Sequence, residues 1–119
     1  MTKVSRKRLT EYLGHILQAM KRIERYTANL DESAFLASEE KQDAVIRNIE
    51  VLGEAARNIE RHFPDYAAKR ADVPWSDIYL MRNRVSHGYF SVDLEIVWKT
   101  VRNDLPLLQK QVSALLDEE

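Results

Sequence analysis

The chain has 119 residues, 45% hydrophobic and 31% charged, with 18 Lys+Arg against 19 Asp+Glu and a formal net charge of −1. That length suits one domain over residues 1–119, and the apolar content excludes a disordered tail. Three Gly and three Pro are few for an all-β chain, the lack of Cys removes disulfides, thiolate zinc sites and cysteine nucleophiles, and near-neutrality argues against coating nucleic acid by bulk charge.

The basic N-terminal stretch does not continue into a signal peptide, because Glu11 and His15 interrupt its apolar run. A cytoplasmic protein is expected. Leu9, Leu13, Ile16, Met20, Ile23, Thr27 and Leu30 recur at steps of four and three, which puts them on one face of a helix over about residues 5–30. Asp31 and Ser33 punctuate the gap that follows. Ser38, with Glu39 and Glu40 behind it, reads as an N-cap and acidic first turn for a second helix at about 39–63. Its stripe is Val45, Ile49, Leu52, Ala56, Ile59 and Phe63, and His62 near its end reads as a cap. Residues 1–30 carry a net +5 and residues 31–60 a net −5, which suggests that these two helices pair through rim charges. Pro64 and Pro74 bracket a loop.

A shorter helix is expected at about 75–87. At about 100° per residue, Trp75, Ile78, Met81 and Val85 form its core face. Arg82 falls at the edge of that face with Tyr79 and Ser86. A guanidinium beside an apolar stripe needs an acceptor, either a helix C-terminus or a carboxylate such as Glu54. Leu80 lies near the opposite face, which suggests a second subunit. His87 precedes Gly88, a good helix stop. It reads as a C-terminal cap or as an acid–base group. Ser91 or Asp93 caps the last helix, at about 93–116, and Pro106 should kink or split it near Leu105. The fold class is all-α, an antiparallel bundle of four to five helices. His15 lies four residues after Glu11, but one such pair makes no metal site. There is no P-loop, dinucleotide turn or nucleophile elbow.

Residues 82–89, Arg-Asn-Arg-Val-Ser-His-Gly-Tyr, carry the Arg-x4-His-x-Tyr pattern and resemble the HEPN superfamily in its HepT-like branch. The stretch from Arg47 to Ala56, Trp75, Val92-Asp93 and Val97-Trp98 resemble it too, so the likeness spans roughly residues 9–110. The resemblance implies a homodimeric, metal-independent endoribonuclease, the toxin of a type VII toxin–antitoxin system. Its catalytic residues would be Arg82 and His87, from two motifs meeting in a cleft at the dimer interface, with Asn83 and Glu54 in support. It implies RNA as substrate, no membrane and no cofactor of its own. The partner would be a minimal nucleotidyltransferase antitoxin that uses ATP to AMPylate Tyr89. Metal-free cleavage through the 2′-OH needs a base, an acid and positive charge on the phosphorane. One chain offers one motif His, and about 140° separates it from Arg82 on a straight helix; two chains relieve both shortages. The alternative is a non-catalytic helical module that binds nucleotide or a nucleotidyltransferase, and a plain dimerising scaffold stands behind that.

Overall fold

The computed structural model describes residues 1–86 and 93–119, with side chains at all of these except residues 85 and 86. Its described elements are the helices α1 (Lys3–Thr27), α2 (Glu32–Leu36), α3 (Glu39–His62), α4 (Pro64–Lys69), α5 (Trp75–Ser86), α6 (Leu94–Asn103) and α7 (Leu105–Glu118). The architecture is therefore all-α, a helical bundle around one apolar seam.

That seam follows from the two longest stripes. Leu9, Leu13, Ile16, Met20 and Ile23 of α1 are fully buried against Val45, Ile49, Leu52, Ala56 and Ile59 of α3. Tyr12 packs edge-on to Phe63, with centroids 6.4 Å apart, and the Lys41 ammonium stands 5.7 Å from the Tyr26 ring. The start of α1 thus meets the end of α3, and its end meets the start of α3: the pair is antiparallel. The described ion pairs, Arg70–Glu118 and Arg82–Glu54, join other elements. Apolar burial holds α1 to α3, with a cation–ring contact between Lys41 and Tyr26 at the rim.

Caps fall largely where expected. Ser38 accepts from the Lys41 N–H at 3.3 Å, and Asp93 accepts from the Glu95 and Ile96 N–H groups at 3.1 and 3.2 Å. The last helix breaks at Asp104, two residues before Pro106, so α6 and α7 are separate rods. A proline in the first turn of α7 cannot donate to the preceding turn, and the chain restarts there. α6 leans on α2 through Phe35 and Trp98, whose rings are 5.3 Å apart, and α7 runs against α1. Arg102 of α6 donates to the Thr27 and Leu30 carbonyls, which satisfies the C-terminal end of α1.

Two connections are more ordered than their sequence suggests. The gap after α1 holds α2, N-capped by Asp31 and pinned by the fully buried Phe35. The stretch bracketed by Pro64 and Pro74 is not simply a loop, because Pro64 opens α4 and Tyr66 and Ala67 bury. Trp75 ties α5 to the end of α4, its indole N–H lying 3.2 Å from both the Ala67 and Arg70 carbonyls. Trp75, Ile78 and Met81 are buried as the core face of α5, and Leu80 on the other side is 49% exposed. The expected features at Val85, Ser86, Gly88 and Ser91 concern residues or side chains outside those described.

Candidate functional site

Helix α5 lies antiparallel on α3, and a ladder of paired residues runs up their shared outer edge. Ser76 Oγ donates to Glu60 Oε2 at 2.8 Å. One turn on, Arg57 Nη1 donates to the Tyr79 hydroxyl, and the same guanidinium lies 4.6 Å from the Tyr79 ring centroid. A further turn on stands Arg82. The spacing of three on both helices follows from residues three apart sharing a face.

Arg82 is placed by a glycine. A Cβ added to Gly53 would stand 2.6 Å from the Arg82 Cβ, so α5 approaches α3 more closely there than any other residue would allow. Glycine inside a helix costs about 1 kcal/mol relative to alanine, and the close approach is what it permits. Above this contact the guanidinium turns toward Glu54, with Nε 3.9 Å from Oε2. That separation is beyond hydrogen-bond length, and both side chains see solvent. Such a pair is worth at most about 1 kcal/mol. Arg82 also lies 5.8 Å from the Tyr79 centroid, so Tyr79 stands between two guanidinium groups. The result is an arginine whose stem is fixed and whose charge remains available to an incoming anion.

Arg82 closes one side of an open groove of about 540 Å³ between α1 and α3. Tyr12 and His15 of α1 line it, with Arg47, Glu54 and Asn58 of α3. Asn83 is half-buried on α5. Arg84 is exposed and faces a different groove, beside Asp72, Asp77 and Asp104, so it does not join Arg82. His87 and Tyr89 lie outside the described residues. The structure therefore brings Arg82 to Glu54 and sets Arg84 apart. His62 is exposed at the end of α3. Sequence reasoning passed over the Arg57–Tyr79 contact and the presence of His15 and Arg47 in one groove. The mid-helix Gly53 was a visible signal for the seat of Arg82; nothing in local spacing signalled either of these two. Among the described residues, no group of three or more His, Cys, Asp or Glu could hold a metal ion, and no helix is long and apolar enough to cross a membrane.

Residues 16–115 match the family described as HepT-like, ribonuclease HepT-like. The chain belongs to this HEPN-superfamily family, whose class is endoribonuclease. It is 38% identical over 113 residues to a Methanocaldococcus jannaschii protein named as a gamma-glutamylcyclotransferase and candidate RNase, covering 95% of this chain and 50% of that one. The chain thus spans half the length of that relative. It is 36% identical over 105 residues to a Thermococcus cleftensis protein named as a probable ribonuclease HepT, covering 88% of this chain and 93% of the other. A candidate RNase of Caldanaerobacter subterraneus is 33% identical over 108 residues, covering 91% and 94%. No solved structure matches the chain.

Proposed function

We propose that this chain is the toxin of a toxin–antitoxin pair, a metal-independent endoribonuclease whose Arg82 and His87 act on the scissile phosphate in a cleft between two copies. The observation that carries the reading is the seating of Arg82. Its stem is fixed against Gly53 and its charge is only loosely paired with Glu54, in a chain of the HepT-like family. In the reaction the 2′-oxygen attacks phosphorus, the bond to the 5′-oxygen breaks, and a 2′,3′-cyclic phosphate and a 5′-OH remain. A base takes the 2′-OH proton and an acid supplies one to the leaving oxygen, the roles that His87 and its counterpart in the second copy fill. Such transfers typically contribute about 10²–10⁴-fold each. Arg82 meets the charge on the phosphorane, where a guanidinium fork binds two oxygens. Asn83 and Glu54 orient Arg82 and the phosphate.

Control is proposed to reside at Tyr89. A nucleotidyltransferase antitoxin joins AMP from ATP to its hydroxyl and releases pyrophosphate. The added phosphate and nucleoside then compete with RNA near the motif. The chain itself needs no cofactor and works in the cytoplasm as a homodimer. The test is incubation of the purified protein with RNA in EDTA, wild type beside Arg82→Ala and His87→Ala. Cleavage with cyclic-phosphate ends by the wild type alone is expected. Equal cleavage by all three, or by none, would refute the assignment.

A further inference from the structure

Catalysis at one phosphate leaves open how the rest of the strand is held. Arg82 lines the groove between α1 and α3. The pairs Tyr12–Phe63 and Tyr26–Lys41 bracket the register of the two helices and place His15 opposite residues 52–60 of α3, centred on residue 56. Arg47 lies on the other side of the Arg82 contact, six residues or about 9 Å along α3 from Gly53. Two cationic or donor side chains therefore flank Arg82, one in each direction along the groove. Both are exposed.

We propose that this groove is a binding track for single-stranded RNA, in which His15 and Arg47 contact phosphates on either side of the one held by Arg82. The proposal rests on the ribonuclease reading for what Arg82 holds. The half-buried Tyr12, backed by Phe63, gives a base an aromatic face at the His15 end. Asn58, also half-buried, supplies a donor and an acceptor there. The volume of about 540 Å³ is that of a small-ligand site, enough for a short piece of single strand. A duplex is instead recognised across successive grooves over about 16 base pairs.

Charge in the groove is balanced. Arg47 and Arg82 stand against Glu50 and Glu54, so with His15 neutral the formal sum is zero. Phosphates are thus met at discrete points and not by a broad basic field. The groove between α5 and α7 differs, because Asp72, Asp77 and Asp104 outnumber Arg84 there and would repel a strand.

The test measures binding of a labelled 2′-O-methyl RNA, which lacks the attacking hydroxyl, to the full chain and to His15→Ala, Arg47→Ala and Lys110→Ala. Lys110 is exposed on α7, outside the groove, and removes the same charge as Arg47. Loss of a phosphate contact should weaken binding by about tenfold in each groove variant. The Arg47→Ala variant should also flatten the slope of log K against log salt by about 0.7. Lys110→Ala should match wild type. With cleavable RNA, the groove variants should raise KM and leave kcat near its wild-type value. Wild-type affinity in either groove variant, an equal loss in Lys110→Ala, or no binding by the wild type would overturn the track. If groove-dependent binding occurs but natural RNA is never cut, the ribonuclease reading falls and the track stands. If RNA is cut normally while affinity ignores both groove residues, the track alone falls.

Discussion

Replacing Gly53 by alanine puts a methyl group 2.6 Å from the Arg82 Cβ, where ordinary contact is 3.4–4 Å. The atom it meets is bonded directly to the α5 backbone and cannot swing aside, so the helices must separate by roughly 1 Å at this point. Overpacking of this kind costs about 1–3 kcal/mol, and the better helix propensity of alanine returns about 1 kcal/mol. The net loss is about 1 kcal/mol, or about 4 °C in Tm for a chain of this size. Activity should suffer far more. Arg82 rides on the displaced segment, and in its proposed catalytic role a misplacement of about 1 Å can cost about 10²-fold. The assay pairs thermal unfolding with single-turnover RNA cleavage, and Gly14→Ala serves as the control. Nothing lies within 4 Å of a Cβ built on Gly14, so that variant should gain up to about 1 kcal/mol and keep full activity. A Gly53→Ala protein as stable and as active as wild type would refute the claim that close packing of α5 on α3 sets Arg82.

Other expectations are as direct. Tyr66 is buried, with its hydroxyl lacking a described hydrogen-bond partner, so Tyr66→Phe should be neutral or stabilising by about 1 kcal/mol in urea unfolding. Burial pushes the pKa of that phenol up, while the nearby Arg70 partly opposes the shift. The folded state therefore keeps a proton that the unfolded chain releases above about pH 10, and stability should fall as pH rises through that range. The Tyr66→Phe protein should lose less there, as unfolding curves at pH 8 and above would show. Arg102→Ala removes the donors that meet the Thr27 and Leu30 carbonyls and a guanidinium 4.4 Å from the Trp98 centroid. It should cost about 1–2 kcal/mol, and Arg102→Lys should recover only part of this, since an ammonium lacks the planar fork. Asp93→Ala should cost about 1 kcal/mol through the lost cap of α6; Asp93→Ser should restore most of it.

The long helices were legible because their apolar stripes repeat over five or more turns, and a stripe of that length has one interpretation. α4 was hidden because six residues give no periodicity, and Pro64, which ends helices in most contexts, here begins one. The break before α7 was readable in kind from Pro106, while its position at Asp104 depends on how α6 and α7 lean on different neighbours. Of the candidate site, the side of α5 that carries Arg82 could be read from angles within one helix. Glu54 could be named as its acceptor, because a guanidinium beside an apolar stripe needs one, and the two side chains do meet; the close seat on Gly53 could not, because it arises only through the packing of α5 on α3. The same limit hid His15. It reads as a failed metal pair with Glu11, and only the register of α1 on α3 sets it in one groove with Arg47.

The attachment of α5 gives that helix the mechanics of a lever. Trp75 is its pivot, held by the Ala67 and Arg70 carbonyls, and Arg82 rides seven residues, or about 10 Å, along the arm. A tilt of about 5° at the pivot sweeps the far point through about 1 Å, the error that can cost about 10²-fold in rate. The Arg57–Tyr79 contact braces the arm midway, like a stay on a boom. For the proposed role of Arg82, angular stiffness, more than overall stability, is thus the quantity this helix must supply.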